Sequence, residues 1–409
     1  MAANDAEPDR VPLAGFQYFD RLVPLLARLH DVGCARDAAG NRVLHYDQYC
    51  LLVLLALFNP TIRSLRALQQ ASTLRQVQRR LGCPRTSLGS LSEAAAVFDP
   101  ARLEAIIGEL LREAPTARSL HPGQVPHVLT AVDGSVVRTL ASLTAAAYLT
   151  DKNGRSHCGW RFHTHFEIDR GVPVRMDVTT AANGGKTDEK QQLRQHLEAD
   201  RCYVMDRWYA EFRLWNDIVA AGSSYVCRIR DNSNLSAVQE ERPVAAAARA
   251  AGVLRDVVVH LGPCSKPAAR PDRPVRVVLV RTTPHSKTGG RKGDTAGPSS
   301  DGVLRIATNL LDVPAEVIAD LYKHRWLIEL FFRFFKHLLG CRHLLSRQPA
   351  GIQIQAYCAI IACLLISLWT GGKPTLRTYE MLCLYFQGWA DLDELTAHLD
   401  KLRPEKKTK

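Results

Sequence analysis

Three carboxylates, Asp133, Asp206 and Glu329, stand where a purely structural role explains little. Asp133 closes the apolar run VLTAVD and Asp206 closes YVMD, so each is expected at the end of a strand, where sites form in α/β sheets. Glu329 lies in LYKHRWLIELFFRFFKHLLG, whose periodicity predicts one continuous helix. At about 100° per residue, Tyr322, Arg325, Glu329, Arg333 and Lys336 share one narrow stripe about 21 Å long, several nucleotides of backbone. Leu327, Leu330, Phe331, Phe334, Phe335 and Leu338 form the expected core-facing side. Three converging carboxylates repel unless divalent cations hold them, and hard oxygen ligands suit Mg²⁺ or Mn²⁺. Two such ions about 3.5–4 Å apart can activate a water or 3′-hydroxyl and stabilise the leaving oxygen of a phosphodiester. Cations on the stripe would then grip the scissile strand. The alternative is a solvated face with an Arg325–Glu329 pair worth a few tenths of a kcal/mol, yet solvent does not require Tyr322 and Trp326 beside the charges.

The elements that must position these groups follow from patterning. Residues 16–114 alternate helical periodicity with polar breaks, which predicts an all-helical N-terminal domain over 1–122. Within it, residues 48–92 hold Arg63, Arg66, Arg75, Arg79, Arg80 and Arg85 and no Asp or Glu. Two readings stand open for that stretch, a helix-turn-helix reader of duplex DNA and a solvated basic face on a packing helix. From Val125 the texture turns to strands: VPHVLTAVDGSVV, GWRFHTHFEID and VPVRMDVTT, then a helix from Thr187, its cap, to Ala199, then CYVMDRWY. This predicts an α/β fold class with a catalytic core whose first part is 123–230. Residues 231–303, rich in Pro, Gly, Ser and Ala, predict a β-rich basic insertion with a mobile loop, HSKTGGRKGDTAGPSSDG. In that loop Lys287, Arg291 and Lys292 fit contact with a DNA backbone, or mere solubility. The core resumes over 304–372, and 373–409 is a C-terminal helical segment with a charged tail.

Of 409 residues, 53 are Lys or Arg and 41 Asp or Glu, a net charge of +12 that points to an anionic partner, nucleic acid being the commonest. The charge is uneven: residues 228–305 carry 14 basic and 7 acidic side chains, whereas 123–227 carry 12 of each. With 46% apolar and 23% charged residues, disordered, collagen-like and small disulfide-stapled chains are excluded. Eleven Cys without a CxxC pair read as reduced, buried thiols of a cytosolic protein. The start, MAANDAEPDRVP, lacks the charge order of an export signal. The longest apolar run, Ala356 to Trp369, is too short for a membrane span and predicts a buried core helix, so no membrane partner is expected. His157, Cys158, His163 and His165 lack a second ligand pair at zinc spacing, which leaves His163 and His165 to line the active-site side of the sheet or accept hydrogen bonds. The segment NGGK at 183–186 lacks the rest of a phosphate-binding loop, and no nucleotide cofactor is implied.

Tyr322, Arg325, Glu329 and Lys336 match Y-x2-R-x3-E-x6-K without gaps. With AVDGS around Asp133 and MDRWY around Asp206, the chain resembles the DDE transposases of bacterial insertion sequences, specifically the IS-four type, over about residues 125–370. The resemblance implies an RNase H-like catalytic core interrupted by the β-rich insertion. It also implies that Asp133, Asp206 and Glu329 bind two divalent ions, Mg²⁺ with Mn²⁺ as substitute. Tyr322, Arg325 and Lys336 would contact phosphates at the element's end, with Arg207, Trp208, Trp326 and Arg333 as further DNA contacts. Relatives release the element through a hairpin and stack a flipped base on an aromatic from the insertion. Residues 231–303 contain no Trp, Tyr or Phe, which leaves Trp208, Tyr209 and Trp326 as substitutes. The expected activity is cut-and-paste transposition at terminal inverted repeats into target DNA, by a homodimer on double-stranded DNA, in the bacterial cytoplasm and on the nucleoid. Alternatives are an RNase H-like nuclease without strand transfer and a DNA-binding relative that no longer cuts.

Overall fold

The computed structural model describes residues 17–32, 42–59, 61–114, 120–139, 147–150, 156–181, 187–262, 270–282, 302–337, 344–371 and 375–402. Six helices come first: α1 (Gln17–Ala27), α2 (Tyr46–Phe58), α3 (Leu65–Ser72), α4 (Arg75–Leu81), α5 (Leu88–Val97) and α6 (Arg102–Glu113). Then follow β1 (Val128–Thr139), β2 (Ala147–Thr150), β3 (Ser156–Glu167), β4 (Val172–Thr180), α7 (Glu189–Gln195), β5 (Arg201–Met205), α8 (Phe212–Ala220) and β6 (Ser224–Arg228). The 231–303 stretch contributes β7 (Val238–Arg242), α9 (Ala246–Ala250), β8 (Val253–Val259) and β9 (Val275–Arg281). The chain ends with β10 (Val303–Thr308), α10 (Ala315–His324), α11 (Trp326–His337), α12 (Pro349–Thr370), α13 (Leu376–Phe386) and α14 (Leu392–Leu402).

The architecture is mixed α/β around one ten-stranded sheet in the order β2-β3-β1-β5-β6-β10-β9-β8-β7, with β4 paired to β3. β1 runs antiparallel to β3 and parallel to β5, and β5 is parallel to β6. Through β10, which is antiparallel to both β6 and β9, the strands of 231–303 continue the same sheet. Period-two alternation along β3 sends its residues to opposite faces. Phe162 and Phe166 meet Phe335 and Phe331 of α11 at ring separations of 5.6 and 5.5 Å. Arg161 reaches Glu189 of α7 on the other face.

α12 is apolar on every side and therefore has to be enclosed. It packs against β4, α6, α2 and α5, so the first helices and the sheet share one hydrophobic core. At 22 residues the helix exceeds the apolar run from which a sub-membrane length was expected, because flanking Ile352, Ile354 and Gln355 are helical and buried too. Burial, with 94% of its most apolar window inside the protein, marks it as a core helix where length does not.

Three local expectations are corrected. The long helix is two, α10 and α11, meeting at Arg325; there Arg325 N–H bonds Tyr322 O at 3.1 Å and Ile328 N–H bonds Arg325 O at 3.2 Å, a 3₁₀-type tightening. On α11 the buried side holds Ile328, Phe331, Phe332 and Phe335, whereas Leu330 is 43% exposed; the buried arc is turned by roughly 80° toward the charged stripe. Leu338 lies outside the described residues. Helix α7 is capped by Asp188, not Thr187, since the Asp188 carboxylate accepts from the N–H groups of Lys190 and Gln191.

Candidate active site

Asp133 does not end its strand: β1 runs six residues further and keeps pairing with β3. What ends there is its other neighbour. Ala131 pairs with Val204 on β5, so two residues on, Asp133 comes level with Asp206 just as β5 stops at Met205. In a parallel pair, residues at one level point to the same face. Asp206 then starts a 3₁₀ turn, Arg207–Tyr209, and its Oδ1 accepts the Trp208 N–H at 2.8 Å, which fixes the carboxylate's direction.

Burial and then the charge of Asp206 push the Asp133 carboxyl up to about 7, opposed by Arg325 and by the Gly134 N–H, which donates to Asp133 Oδ1 at 2.8 Å. Arg325 also donates to Glu329 Oε1 at 2.6 Å, so the guanidinium whose charge lowers the Asp133 pKa is the one that holds the carboxylate of α11. Burial works against the charge on Arg325, but Tyr322, Glu329 and Asp133 outweigh it and hold the guanidinium protonated. Its Nε is buried without a hydrogen-bond partner. Burial raises the phenol of Tyr322, while Arg325 and Arg228 pull it down and Asp206 pushes it up, which puts Tyr322 in the same cluster. Carboxylates are the donor type that suits a hard divalent cation, and here Asp133 and Glu329 are linked through Arg325, with Arg228 acting on Tyr322 beside it.

Lys336 lies two turns beyond Glu329 on the same side of α11, with Nζ 6.0 Å from the Phe332 ring centre. Arg333 is exposed and lies 5.2 Å from the centre of the Trp326 ring, itself 47% exposed. Trp208 is 56% exposed with Lys190 Nζ 5.4 Å above it, and Arg207 beside it is half-buried. Tyr209, by contrast, is buried, which removes it as a stacking surface. Lys287, Arg291 and Lys292 lie outside the described residues, as does NGGK at 183–186.

His163 and His165 share the face of Arg161, the one α7 covers, and so point away from the α11 side; strand alternation decides this. His163 Nε2 is 2.8 Å from Thr179 Oγ1, and burial holds both rings down to about 3. Among the described residues Cys50, Cys83, Cys202, Cys227, Cys358, Cys363 and Cys383 are free and buried.

The residue that patterning misses is Glu189. It opens α7, pairs with Arg161 at 3.4 Å, bonds the buried Tyr209 hydroxyl and raises the Asp133 pKa by its charge. A Cβ on Gly134 would collide with its side chain. Its only local signal is the Gly directly after Asp133, which reads as a turn rather than as room for a carboxylate.

Comparisons with known proteins bear on the chain's family. The chain is 29% identical over 216 residues to a protein named as transposase y4zB in Sinorhizobium fredii, covering 53% of this chain and 54% of that one. It is 26% identical over 242 residues to one named as the transposase for insertion sequence element IS5377 in Geobacillus stearothermophilus, covering 58% and 57%. Over 93 residues it is 43% identical to one named as the transposase for IS4SA in Synechocystis, covering 21% and 28%. The chain thus spans about half the length of the first two relatives and less of the third. The transposase DDE domain model matches residues 125–365, a span that holds Asp133, Asp206, Glu329 and Glu189, and the chain belongs to that family.

Proposed function

We propose that this chain is a DNA transposase of the IS-four type that cuts its element's terminal inverted repeats and joins them to target DNA. The observation that carries this is the level placement of Asp133 and Asp206 on adjacent parallel strands, with Arg325 acting on Asp133 and bonded to Glu329. The strand order β4-β3-β1-β5-β6, three antiparallel strands followed by two parallel to β1, supports an RNase H-like core. Asp133, Asp206 and Glu329 would hold two divalent ions, Mg²⁺ with Mn²⁺ as substitute, which supply activation of a water or 3′-hydroxyl and charge for the leaving oxygen.

The chain's own groups do the rest. Tyr322, Arg325 and Lys336 orient phosphates of the cleaved strand, and Arg207 and Arg333 extend that contact. Trp208 and Trp326, both exposed beside a cation, offer stacking faces for an unpaired base. Arg63, Arg66, Arg75, Arg79, Arg80 and Arg85 are all exposed around α3 and α4, which supports end binding by the helical 1–122 segment. The remaining divisions are a core in two parts (123–230 and 304–372), the basic insertion 231–303, whose Lys287, Arg291 and Lys292 follow the DNA backbone, and the C-terminal segment 373–409. A homodimer on double-stranded DNA and a place in the cytoplasm, on the nucleoid, complete the reading.

The test is incubation with terminal-repeat duplexes and Mn²⁺, wild type against Glu329→Gln. Nicking and joined products are expected from the wild type and neither from the variant. Nicking that survives in the variant overturns the three-carboxylate assignment, and hydrolysis without joined product makes the chain a nuclease.

A further inference from the structure

Outside the carboxylate site, one cluster among the described residues places three metal-ligating side chains together: His30 and Asp31, in the turn after α1, and His45, the residue before α2. One ring nitrogen of each His and one Asp31 oxygen all lie within 4.8 Å of one another. The contacts around the rings are those of histidine ligands. His30 Nδ1 is 3.0 Å from both carboxylate oxygens of Asp47, and His45 Nδ1 is 2.9 Å from the carbonyl oxygen of His30. Each Nδ1 facing an acceptor carries the proton, which leaves the Nε2 lone pair available; a carboxylate or carbonyl behind the imidazole is the usual second contact of a metal-bound His. The two rings stack with centroids 3.8 Å apart at 8°.

We infer that His30, Asp31 and His45 form a binding site for one divalent transition ion, Zn²⁺ above all, separate from the catalytic carboxylates. Two imidazoles and a carboxylate are borderline donors that select Zn²⁺ over Mg²⁺, and three protein ligands leave a fourth position to water. Ligands around a tetrahedral ion stand about 3.4 Å apart, so side-chain rotation closes the cluster. The lone pairs of parallel rings lie in parallel planes, so one ring has to tilt; the His30 side chain, 38% exposed, has the room. The ion would tie the end of α1 to the start of α2, closing the segment between His30 and His45 and fixing the helix on which α3 and α4 pack.

The experiment uses the untagged full chain with Mg²⁺ in excess, so that the catalytic carboxylates do not compete for the probe. Stripped protein is loaded with Zn²⁺, passed through gel filtration and assayed for zinc; Co²⁺ is then used for its ligand-field spectrum. One Zn²⁺ per chain is expected in wild type and in Glu329→Gln, none in His30→Gln or His45→Gln. Asp47→Asn should weaken affinity about 10–100-fold through the imidazole it supports. Asp31 is exposed, so Asp31→Asn keeps the fold and should lose the nitrogen–oxygen Co²⁺ spectrum of wild type. Wild type that retains no zinc, or zinc retained unchanged in folded His45→Gln and Asp31→Asn, overturns the site. Zinc lost in Glu329→Gln but kept in His45→Gln overturns it as well. Because Glu329→Gln is silent here, failure of this site leaves the transposase reading untouched.

Discussion

The side chain of Glu189 occupies the space into which a Cβ on Gly134 would project. Gly134 is thus glycine for want of room, on extended backbone within β1, and the residue that takes the room is a carboxylate on the α7 face whose charge still raises the Asp133 pKa. Glu189 is anchored to Arg161 and to the Tyr209 hydroxyl, so it cannot easily swing aside.

Gly134→Ala should therefore cost about 1–3 kcal/mol by overpacking. In the background of Glu189→Ala the same substitution should be nearly neutral. Urea unfolding of the four proteins measures the coupling, and additive effects would show that the collision is relieved elsewhere.

Asp133 supplies a pH prediction. Its folded pKa of about 7 lies above the ordinary 3.8, so the folded chain binds the proton more tightly than the unfolded one. The contribution is fully present below about 4 and is lost as pH rises through 7. Asp133→Asn, which cannot ionise, should gain stability over wild type across that window, by at most about 1.4 kcal/mol per pH unit. Denaturant midpoints in chelator at pH 4 to 8 measure it; a constant difference between the proteins contradicts it.

The buried His165 has the opposite sign. Held down to about 3 from 6.5, it is neutral in the fold and takes a proton on unfolding. Wild type should lose stability relative to His165→Gln as pH falls from 6.5 toward 3, visible in the same titration.

Arg325 opposes the rise of Asp133 and bonds Glu329. Arg325→Gln should move the acid limb of Mn²⁺-dependent nicking upward by about 1–3 pH units, and Arg325→Lys should restore most of it. An unmoved profile with reduced rate would confine Arg325 to phosphate contact.

Within 228–305, Arg276 is spent on buried Asp256 at 2.7 Å, and Arg255 pairs with Glu241. Exposed Arg249, Arg273 and Arg281 remain part of the excess charge there. Changing these three to Gln should flatten the salt dependence of DNA binding, by about 0.9 in log–log slope for each phosphate no longer neutralised, more than Arg170→Gln with Arg213→Gln. Equal slopes would move the DNA path off the insertion.

Residue type and spacing single out Asp133, Asp206 and Glu329, two after apolar runs and one on a charged helix stripe, and the parallel register of β1 and β5 brings the first two level. Local rules fail where a distant segment decides. The Asp-Gly pair reads as a strand end, yet pairing with β3 carries β1 onward. Neither Pro nor Gly marks Arg325, where the helix tightens while keeping right-handed angles, φ −51° and ψ −31°. The buried arc of α11 escapes periodicity because Phe162 and Phe166, more than 150 residues earlier, choose which phenylalanines go inside. Glu189 is invisible because its meaning lies in the glycine opposite.

α12 is made late in synthesis and lodges among helices made first. Before it arrives, α2, α5 and α6 lack the rod that fills their centre. Cut away those early helices, and the remainder carries a largely apolar 22-residue helix of bilayer-spanning length, covered by β4 but no longer by α2, α5 and α6. A fragment starting near residue 123 is therefore a chain in search of a membrane or a neighbour, rather than a smaller enzyme.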